Sequence, residues 1–137
     1  MDAVTRVPLP VNEPVLDYAP GSDERTRLER RLKELAGGAV ELTATIGGEQ
    51  RAGGGAEIEV VQPHRKAHVL GVLRNATRED AASAITAAAD AATTWRALSF
   101  DDRAAVFLKA ADLLAGPWRE TLNAATMLGQ SKTAIQA

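Results

Sequence analysis

The feature that most constrains this chain is a regular apolar pattern between Ser99 and Ala137, because its spacing is that of α-helices. The first segment opens on Ser99 and Asp102, spaced like a capping box, and stops at Gly116-Pro117. Its apolar residues recur every three or four positions, as on one face of a helix: Ala104, Phe107, Leu108, Ala111, Leu114 and Ala115. The sequence therefore predicts a helix that ends at this Gly-Pro pair.

Two further helices are expected after Pro117. The second has a short apolar face that closes at Gly129: Leu122, Ala125, Met127 and Leu128. Ser131 would cap a third helix through Ile135, for which Gln136-Ala137 provides no stop signal. Because this pattern is still helical at its last residue, we expect the natural protein to be longer.

Two earlier segments also carry helix patterns. Ser22 caps an amphipathic helix over 22–38, which two glycines end. Its narrow apolar seam consists of Leu28, Leu32 and Leu35. Thr77 and Asp80 open a long helix over 75–98. Its expected buried stripe consists of Ala81, Ile85, Ala88, Ala92 and Trp95.

The helix over 22–38 is rich in basic residues, which suggests either an RNA-binding or partner-binding surface or an ordinary solvated face. The basic residues are Arg25, Arg27, Arg30, Arg31 and Lys33. Since Glu29 and Glu34 are interleaved with them, we favour the solvated face.

Three segments alternate apolar and polar residues and are predicted strands: 42–46, 57–61 and 69–73. Gly47-Gly48 and Gly53-Gly54-Gly55 lie between the first two. Glycine clusters can bind phosphate, but this spacing matches neither dinucleotide nor phosphate-loop motifs, and strands lie on both sides. We therefore predict turns in a small antiparallel meander.

The histidines and tryptophans are the other candidates for a ligand site. His64 and His68 are four apart, which suits a metal site on a helix, but Pro63 and the following strand pattern disfavour a helix. Trp95 and Trp118 could stack on a ligand; their Ala-rich helical surroundings favour packing instead. We assign no metal ligand.

Residues 1–21 contain four prolines, which predict an extended arm. A disordered tail is the alternative. Val15, Leu16 and Tyr18 favour docking of the arm on a surface, because they would otherwise be exposed.

Composition excludes several classes of function. The net charge is −2 with both signs mixed along the chain, so no nucleic-acid partner and no membrane anchor are expected. Asp2 follows Met1 and no apolar signal segment comes after it, so we expect a cytoplasmic location. The chain contains no cysteine, which excludes disulfides and thiolate chemistry by this chain.

Two adjoining sequences, DRAAVFLKAADLLAGPWRE and ATMLGQSKTAIQA, resemble the N-terminal region of aldehyde dehydrogenases. The FLKAADLL-GP and TMLGQSK forms, with an NEPV arm, are most similar to the branch that acts on L-glutamate γ-semialdehyde (1-pyrroline-5-carboxylate). The resemblance runs from about Asn12 onwards. Lys132 matches a Gly-Lys of the family, which we treat as a positional marker without chemistry.

The resemblance implies an α+β fragment of an α/β protein: an arm over 1–21, a helix over 22–38, and an incomplete N-terminal part of an NAD-binding domain over 39–137. In that domain a small antiparallel strand meander precedes an Ala-rich helical layer. The parent would oxidise the small-molecule aldehyde L-glutamate γ-semialdehyde to L-glutamate with NAD, in proline catabolism, as a homo-oligomer. In the family the nucleophilic cysteine, the general-base glutamate and the NAD site lie downstream of Ala137. We therefore assign no catalytic, cofactor-binding or metal residue, and expect this chain alone to be inactive.

Three alternatives remain: another aldehyde dehydrogenase, the dehydrogenase half of a bifunctional proline-oxidising enzyme, or a stand-alone non-catalytic helical interaction domain. The apolar stripes on successive helices favour a dehydrogenase, because they require more sheet than the short strands supply. The chain alone should then expose apolar surface and associate.

Overall fold

The computed structural model describes residues 6–137, so the first five residues of the expected arm lie outside the described part. Four helices follow one another as α1 (Asp23–Ala36), α2 (Arg78–Ala97), α3 (Phe100–Ala115) and α4 (Arg119–Gln130). The strands between α1 and α2 are β1 (Val40–Leu42), β2 (Ala44–Ile46), β3 (Glu49–Arg51), β4 (Glu57–Gln62) and β5 (Arg65–Arg74). The predicted order of arm, helix, strands and helical layer is confirmed.

Three helices begin at the predicted caps. The Ser22 hydroxyl accepts the Arg25 N–H at 3.3 Å. Thr77 and Asp80 form a complete capping box at the start of α2. Ser99 accepts the N–H of the residue three positions on at 3.1 Å, which starts α3. Each cap satisfies an amide that has no partner within its helix, so these local signals fix where the helices begin.

The predicted strand over 42–46 is divided between two sheets, and the meander is not purely antiparallel. β1 pairs parallel with β5, whereas β2 pairs antiparallel with β3. β4 and β5 form the expected antiparallel hairpin, which gives the sheet order β1-β5-β4. In the sequence, apolar and polar residues alternate through Thr43, so the pattern could not reveal that the strand is interrupted there.

Gly71 allows β1 to lie against β5. A Cβ on Gly71 would be 2.5 Å from the carbonyl oxygen of Val40, well inside contact distance. Only a glycine at this position permits the parallel pair.

The main core lies between α1 and α4. Leu28 is 2% exposed and Ala124 is 0% exposed, and both contact the buried Tyr18 of the arm. Leu32, Leu35 and Met127 pack at the edge of this cluster, as do Leu16 and Ala134. The predicted leucine seam of the first helix is confirmed as a packing surface.

The predicted buried stripe of α2 is not buried, since neither α2 nor α3 contains a buried residue. Ile85 is 70% exposed and Phe107 is 68% exposed. The expected exposed apolar surface is therefore present on these two helices. No helix among residues 6–137 combines the length and apolarity that crossing a membrane requires.

The third helix expected from Ser131 does not form. α4 continues through Gly129 to Gln130, and Ser131 ends it in the left-handed conformation with φ 56°. The N–H groups of Gln136 and Ala137 donate to the Thr133 carbonyl at 3.0 and 3.1 Å, which closes a turn. In this conformation Ser131 does not act as an N-cap, and its hydroxyl contacts His64 Nδ1 at 2.8 Å instead of a following amide.

Candidate functional site

The arm docks where α1 and α4 meet. The phenol oxygen of Tyr18 accepts a hydrogen bond from Asn123 Nδ2 at 2.8 Å, and Arg119 Nη1 donates to the Pro14 carbonyl at 2.9 Å. The predicted docking is confirmed for Leu16 and Tyr18, but it is wrong for Val15, which is 97% exposed. Neighbouring side chains of an extended segment lie on opposite sides, so Val15 is directed away from the surface.

A groove of about 520 Å³ lies between the arm, the end of α3, the start of α4 and the last residues. Leu114, Leu122 and Ile135 give it an apolar lining. Its polar side chains include Arg119 and Asn123, which already donate to the arm. The groove could not be predicted from the sequence, because no local pattern shows that the arm packs against α3 and α4, which come about 100 residues later.

The basic face of α1 is largely occupied by interactions within the chain. Arg27 Nε lies 2.8 Å from Glu120 Oε1 of α4, and Arg31 Nε donates to Thr121 Oγ1 at 3.0 Å. Arg31 also pairs with Glu34 within α1 at 2.8 Å. Arg27 and Arg31 therefore join two helices, a role that the sequence did not predict, and the solvated-face interpretation of the remaining basic residues stays a prediction.

The Arg27–Glu120 pair shifts the titration of both groups. Partial burial raises the pKa of Glu120, but the hydrogen bond from Arg27 and nearby positive charge outweigh it, so the net pKa is lowered. The same hydrogen bond raises the pKa of Arg27. The charged forms of both side chains are therefore favoured together in the folded chain.

The two glycine clusters form turns and close approaches. Gly47 and Gly48 have φ values of 62° and 85° and connect β2 to β3, which confirms the predicted turn. In the second cluster, Gly54 N–H donates to Asp80 Oδ2 at 2.9 Å and Gly55 N–H donates to the Asn75 carbonyl at 2.9 Å. Both amides that a bound phosphate would require are thus already engaged, one by a carboxylate and one by a backbone carbonyl.

Asp80 joins this glycine loop to the start of α2. Its carboxylate accepts from Gly54 N–H and from Thr77 N–H, the latter at 2.8 Å. These hydrogen bonds, first from Gly54 and then from Thr77, lower the pKa of Asp80. The carboxylate therefore stabilises a loop and a helix terminus at the same time.

His64 and His68 are directed to different partners. His64 Nδ1 lies 2.8 Å from Ser131 Oγ, and His68 Nε2 lies 3.0 Å from the Ala36 carbonyl, to which it donates. Within residues 6–137 no three His, Cys, Asp or Glu side chains are grouped as metal ligands. Sequence reasoning missed the His64–Ser131 contact, because its members are 67 positions apart. No carboxylate bonded to His64 is present among the described contacts to orient it for nucleophilic catalysis.

The tryptophans are partly exposed. Trp95 is 40% exposed and packs edge-to-face with Phe107, with ring centroids 6.4 Å apart. Trp118 is 53% exposed and lies beside the arginines of α1. Trp95 thus has the predicted packing role, between α2 and α3. Lys132 is exposed and lies just before the final turn.

The sequence model of the aldehyde dehydrogenase family matches residues 50–137. The chain belongs to this family. It is similar to the Delta-pyrroline-5-carboxylate dehydrogenase of Mycobacterium tuberculosis, whose crystal structure was determined with bound NAD. The two are 61% identical with a TM-score of 0.93, over 98% of this chain and 25% of that one. The resemblance drawn from the motifs is confirmed.

Curated aldehyde dehydrogenase relatives from other organisms agree. The Delta-1-pyrroline-5-carboxylate dehydrogenase of Agaricus bisporus is 38% identical over 98% of this chain and 25% of its own length. The mitochondrial enzyme of that name from Homo sapiens is 39% identical over 92% of this chain and 22% of its own length. The chain thus spans about a quarter of the length of the curated relatives it matches.

Proposed function

We propose that this chain is the N-terminal part of an NAD-dependent dehydrogenase that oxidises L-glutamate γ-semialdehyde, derived from 1-pyrroline-5-carboxylate, to L-glutamate. The observation that carries the proposal is the 61% identity and TM-score of 0.93 to the Mycobacterium tuberculosis enzyme bound with NAD, over 98% of the chain. Identity at this level over a matching backbone supports a shared substrate more strongly than fold alone does.

In the proposed enzyme, the residues of this chain would have a structural role and would not take part in the chemical steps. Aldehyde oxidation of this kind begins when a thiolate attacks the aldehyde carbon, and the chain contains no cysteine. The described residues do not fit NAD either, because the amides of Gly54 and Gly55 are already engaged by Asp80 and Asn75. We assign no reaction step to residues 6–137, and we expect the 137-residue chain alone to be inactive.

The test is NADH formation by the protein that carries this sequence, purified under native conditions from its source cells with an antibody against α1. We expect absorbance at 340 nm to rise when NAD and 1-pyrroline-5-carboxylate are both present. The recombinant 137-residue chain is the matched control and should give no rise. If the protein oxidised a different aldehyde but not 1-pyrroline-5-carboxylate, the proposal would be wrong, and the protein would be another aldehyde dehydrogenase.

The uncovered apolar face of α2 and α3 is consistent both with a stand-alone interaction domain and with a fragment of the dehydrogenase. The intact mass of the native protein separates the two. A mass of 14.5 kDa, that of this chain, would support the interaction domain, whereas a mass several times larger would support the dehydrogenase. A bifunctional proline-oxidising enzyme would also oxidise proline itself.

We also propose a homo-oligomer in the cytoplasm, with neither nucleic acid nor membrane as a partner. The near-neutral charge, −2, supports the absence of a polyanionic partner. Native mass and cell fractionation test the assembly and the location; recovery of the native protein with mitochondria or membranes would contradict the location.

A further inference from the structure

Two hydrogen bonds connect the arm to one face of α4. Arg119 and Asn123 are four positions apart on the helix and therefore lie on the same side of it. Their side chains donate to the Pro14 carbonyl at 2.9 Å and to the Tyr18 phenol oxygen at 2.8 Å. The segment from Pro14 to Tyr18 is thus held at both ends by one helical face.

Tyr18 is buried in a backbone conformation that tyrosine rarely adopts. Its φ is 53°, in the left-handed region, while its side chain is only 8% exposed. The ring packs against Leu28 and Ala124. Ala19 N–H donates to Asp17 Oδ1 at 3.0 Å, which supports the turn that places the ring there. Backbone strain at this residue is offset by burial and hydrogen bonding.

The arm before this segment has no comparable anchor. Leu9 is 89% exposed and Val11 is 91% exposed, and no hydrogen bond of residues 6–13 is among the described contacts. Attachment of the arm is therefore confined to a short segment next to α1.

We propose that Pro14–Tyr18 is a latched strap with two discrete states. In the closed state Tyr18 completes the α1–α4 core and Arg119 and Asn123 bind the strap. In the open state both hydrogen bonds break, the ring leaves the core, and Tyr18 relaxes to a negative φ. Relief of strain favours the open state, whereas burial and the two hydrogen bonds favour the closed one, which makes the segment bistable.

Opening would change the groove as well as the core. Pro14, Leu16 and Tyr18 form one wall of the groove that Leu114 and Leu122 line from the other side. Leu114 and Leu122 are already 54% and 40% exposed, and departure of the strap would expose them further. This inference depends on contacts within the chain and does not rest on the proposed dehydrogenase activity.

Tyr18 is the only tyrosine in the chain, so ring-¹³C tyrosine gives a single site-specific NMR probe of the strap in the full 137-residue chain. We expect a ring signal displaced from that of free tyrosine, with relaxation dispersion from exchange with a minor open state. A ring signal at the position of free tyrosine would show that the closed state is not populated. A displaced signal without exchange would show that the open state is not populated. Either result would contradict the proposal.

Asn123→Ala removes the hydrogen bond to the Tyr18 phenol oxygen but does not alter the tyrosine side chain itself. We expect the open-to-closed ratio to rise by about threefold to tenfold, the effect of losing one hydrogen bond. Arg119→Ala should change the ratio in the same direction. Val15→Ala is the matched control, because Val15 lies in the strap but is 97% exposed, and it should leave the ratio unchanged.

Hydrogen exchange of the α1 amides separates a released strap from general unfolding. With Asn123→Ala we expect slow exchange in α1 to persist while the tyrosine signal moves. Loss of α1 protection together with the tyrosine shift would show that the strap cannot open independently, and an unchanged tyrosine signal would show that Asn123 does not hold it. Either result would overturn the proposal.

Discussion

The helix pair α1–α4 and the helix pair α2–α3 both carry apolar residues at helical spacing, but they have opposite surroundings in the fold. The first pair encloses Leu28 and Ala124, which are 2% and 0% exposed. The second pair contains no buried residue, and its Ile85 and Phe107 remain 70% and 68% exposed. An amphipathic stripe therefore identifies the face that requires cover, but not whether the same chain supplies it.

The difference follows from where each pair finds its partners. α1 and α4 are far apart in sequence, yet they are joined by the Arg27–Glu120 pair and by the docked Tyr18. α2 and α3 are neighbours in sequence and meet through the Trp95–Phe107 contact. The sequence neighbours α2 and α3 thus share one aromatic contact. In contrast, α1 and α4, which are about 90 residues apart in the sequence, pack together and form a core.

The largest expected effect is at the centre of the first pair. Leu28→Ala removes a side chain that is 2% exposed, and should lower the free energy of unfolding by about 2 to 5 kcal/mol. Phe107→Ala, in the second pair, should lower it by no more than about 1.5 kcal/mol, the contribution of one aromatic pair, since the ring is already mostly in water. Urea unfolding followed by circular dichroism measures both; equal losses would refute the contrast between the pairs.

The next largest effect is expected in the glycine loop that binds the start of α2, a helix that contains no buried residue. A Cβ on Gly53 would lie 2.4 Å from the carbonyl oxygens of Arg74 and Asn75. Gly53→Ala should therefore displace the loop that joins Gly54 to Asp80, at a cost of about 1 to 3 kcal/mol. Gly38→Ala is the control, because a Cβ there meets nothing within 4 Å.

Hydrogen exchange localises that effect. We expect Gly53→Ala to accelerate exchange in the first turn of α2 and to leave α1 unchanged. Acceleration in both helices would contradict the expected difference, because it would mean that the two pairs unfold as one cooperative unit.

A smaller effect is expected on self-association. The uncovered face of α2 and α3 should make the 137-residue chain associate as its concentration rises. Phe107→Lys places a charge on that face and should weaken association about tenfold, equivalent to about 1.4 kcal/mol. Leu9→Lys is the control, since Leu9 is 89% exposed but lies on the arm. Sedimentation velocity gives the masses, and a monomer at every concentration would contradict the prediction.

Much of the fold could be predicted because its signals are local. Ser22, Thr77 and Ser99 each bond an amide within a few residues, so the helix starts were visible in the sequence. The leucine seam of α1 was visible for the same reason, as a periodicity of three to four residues. The family could be identified because motifs in α3 and α4 occur together and in order.

The features that could not be predicted depend on distant contacts. The interruption at Thr43 separates β1, which pairs with β5 about 30 positions further on, from β2, which pairs with β3. The docking of Tyr18 and the His64–Ser131 contact join residues 105 and 67 positions apart. The prediction of a helix after Ser131 was wrong because Ser131 ends α4 in the left-handed conformation and its hydroxyl contacts the distant His64. No catalytic site was assigned from the sequence, and that assignment stays a prediction.

The smallest expected effect tests the electrostatic link between α1 and α4. The pKa of Glu120 is lowered from its ordinary value of 4.5, so its contribution is fully present above pH 4.5 and is lost as the pH falls through the lowered pKa. Glu120→Gln should therefore reduce stability near neutral pH and flatten the loss of stability below pH 4.5. Glu29→Gln is the control, because Glu29 pairs with Arg25 inside α1 and both side chains are about half exposed. Unfolding curves between neutral pH and pH 3 compare the variants. Equal pH profiles for the two would mean that the ion pair between the helices contributes no more than one along a single helix, and that the apolar core and the Arg31–Thr121 hydrogen bond hold the first pair together.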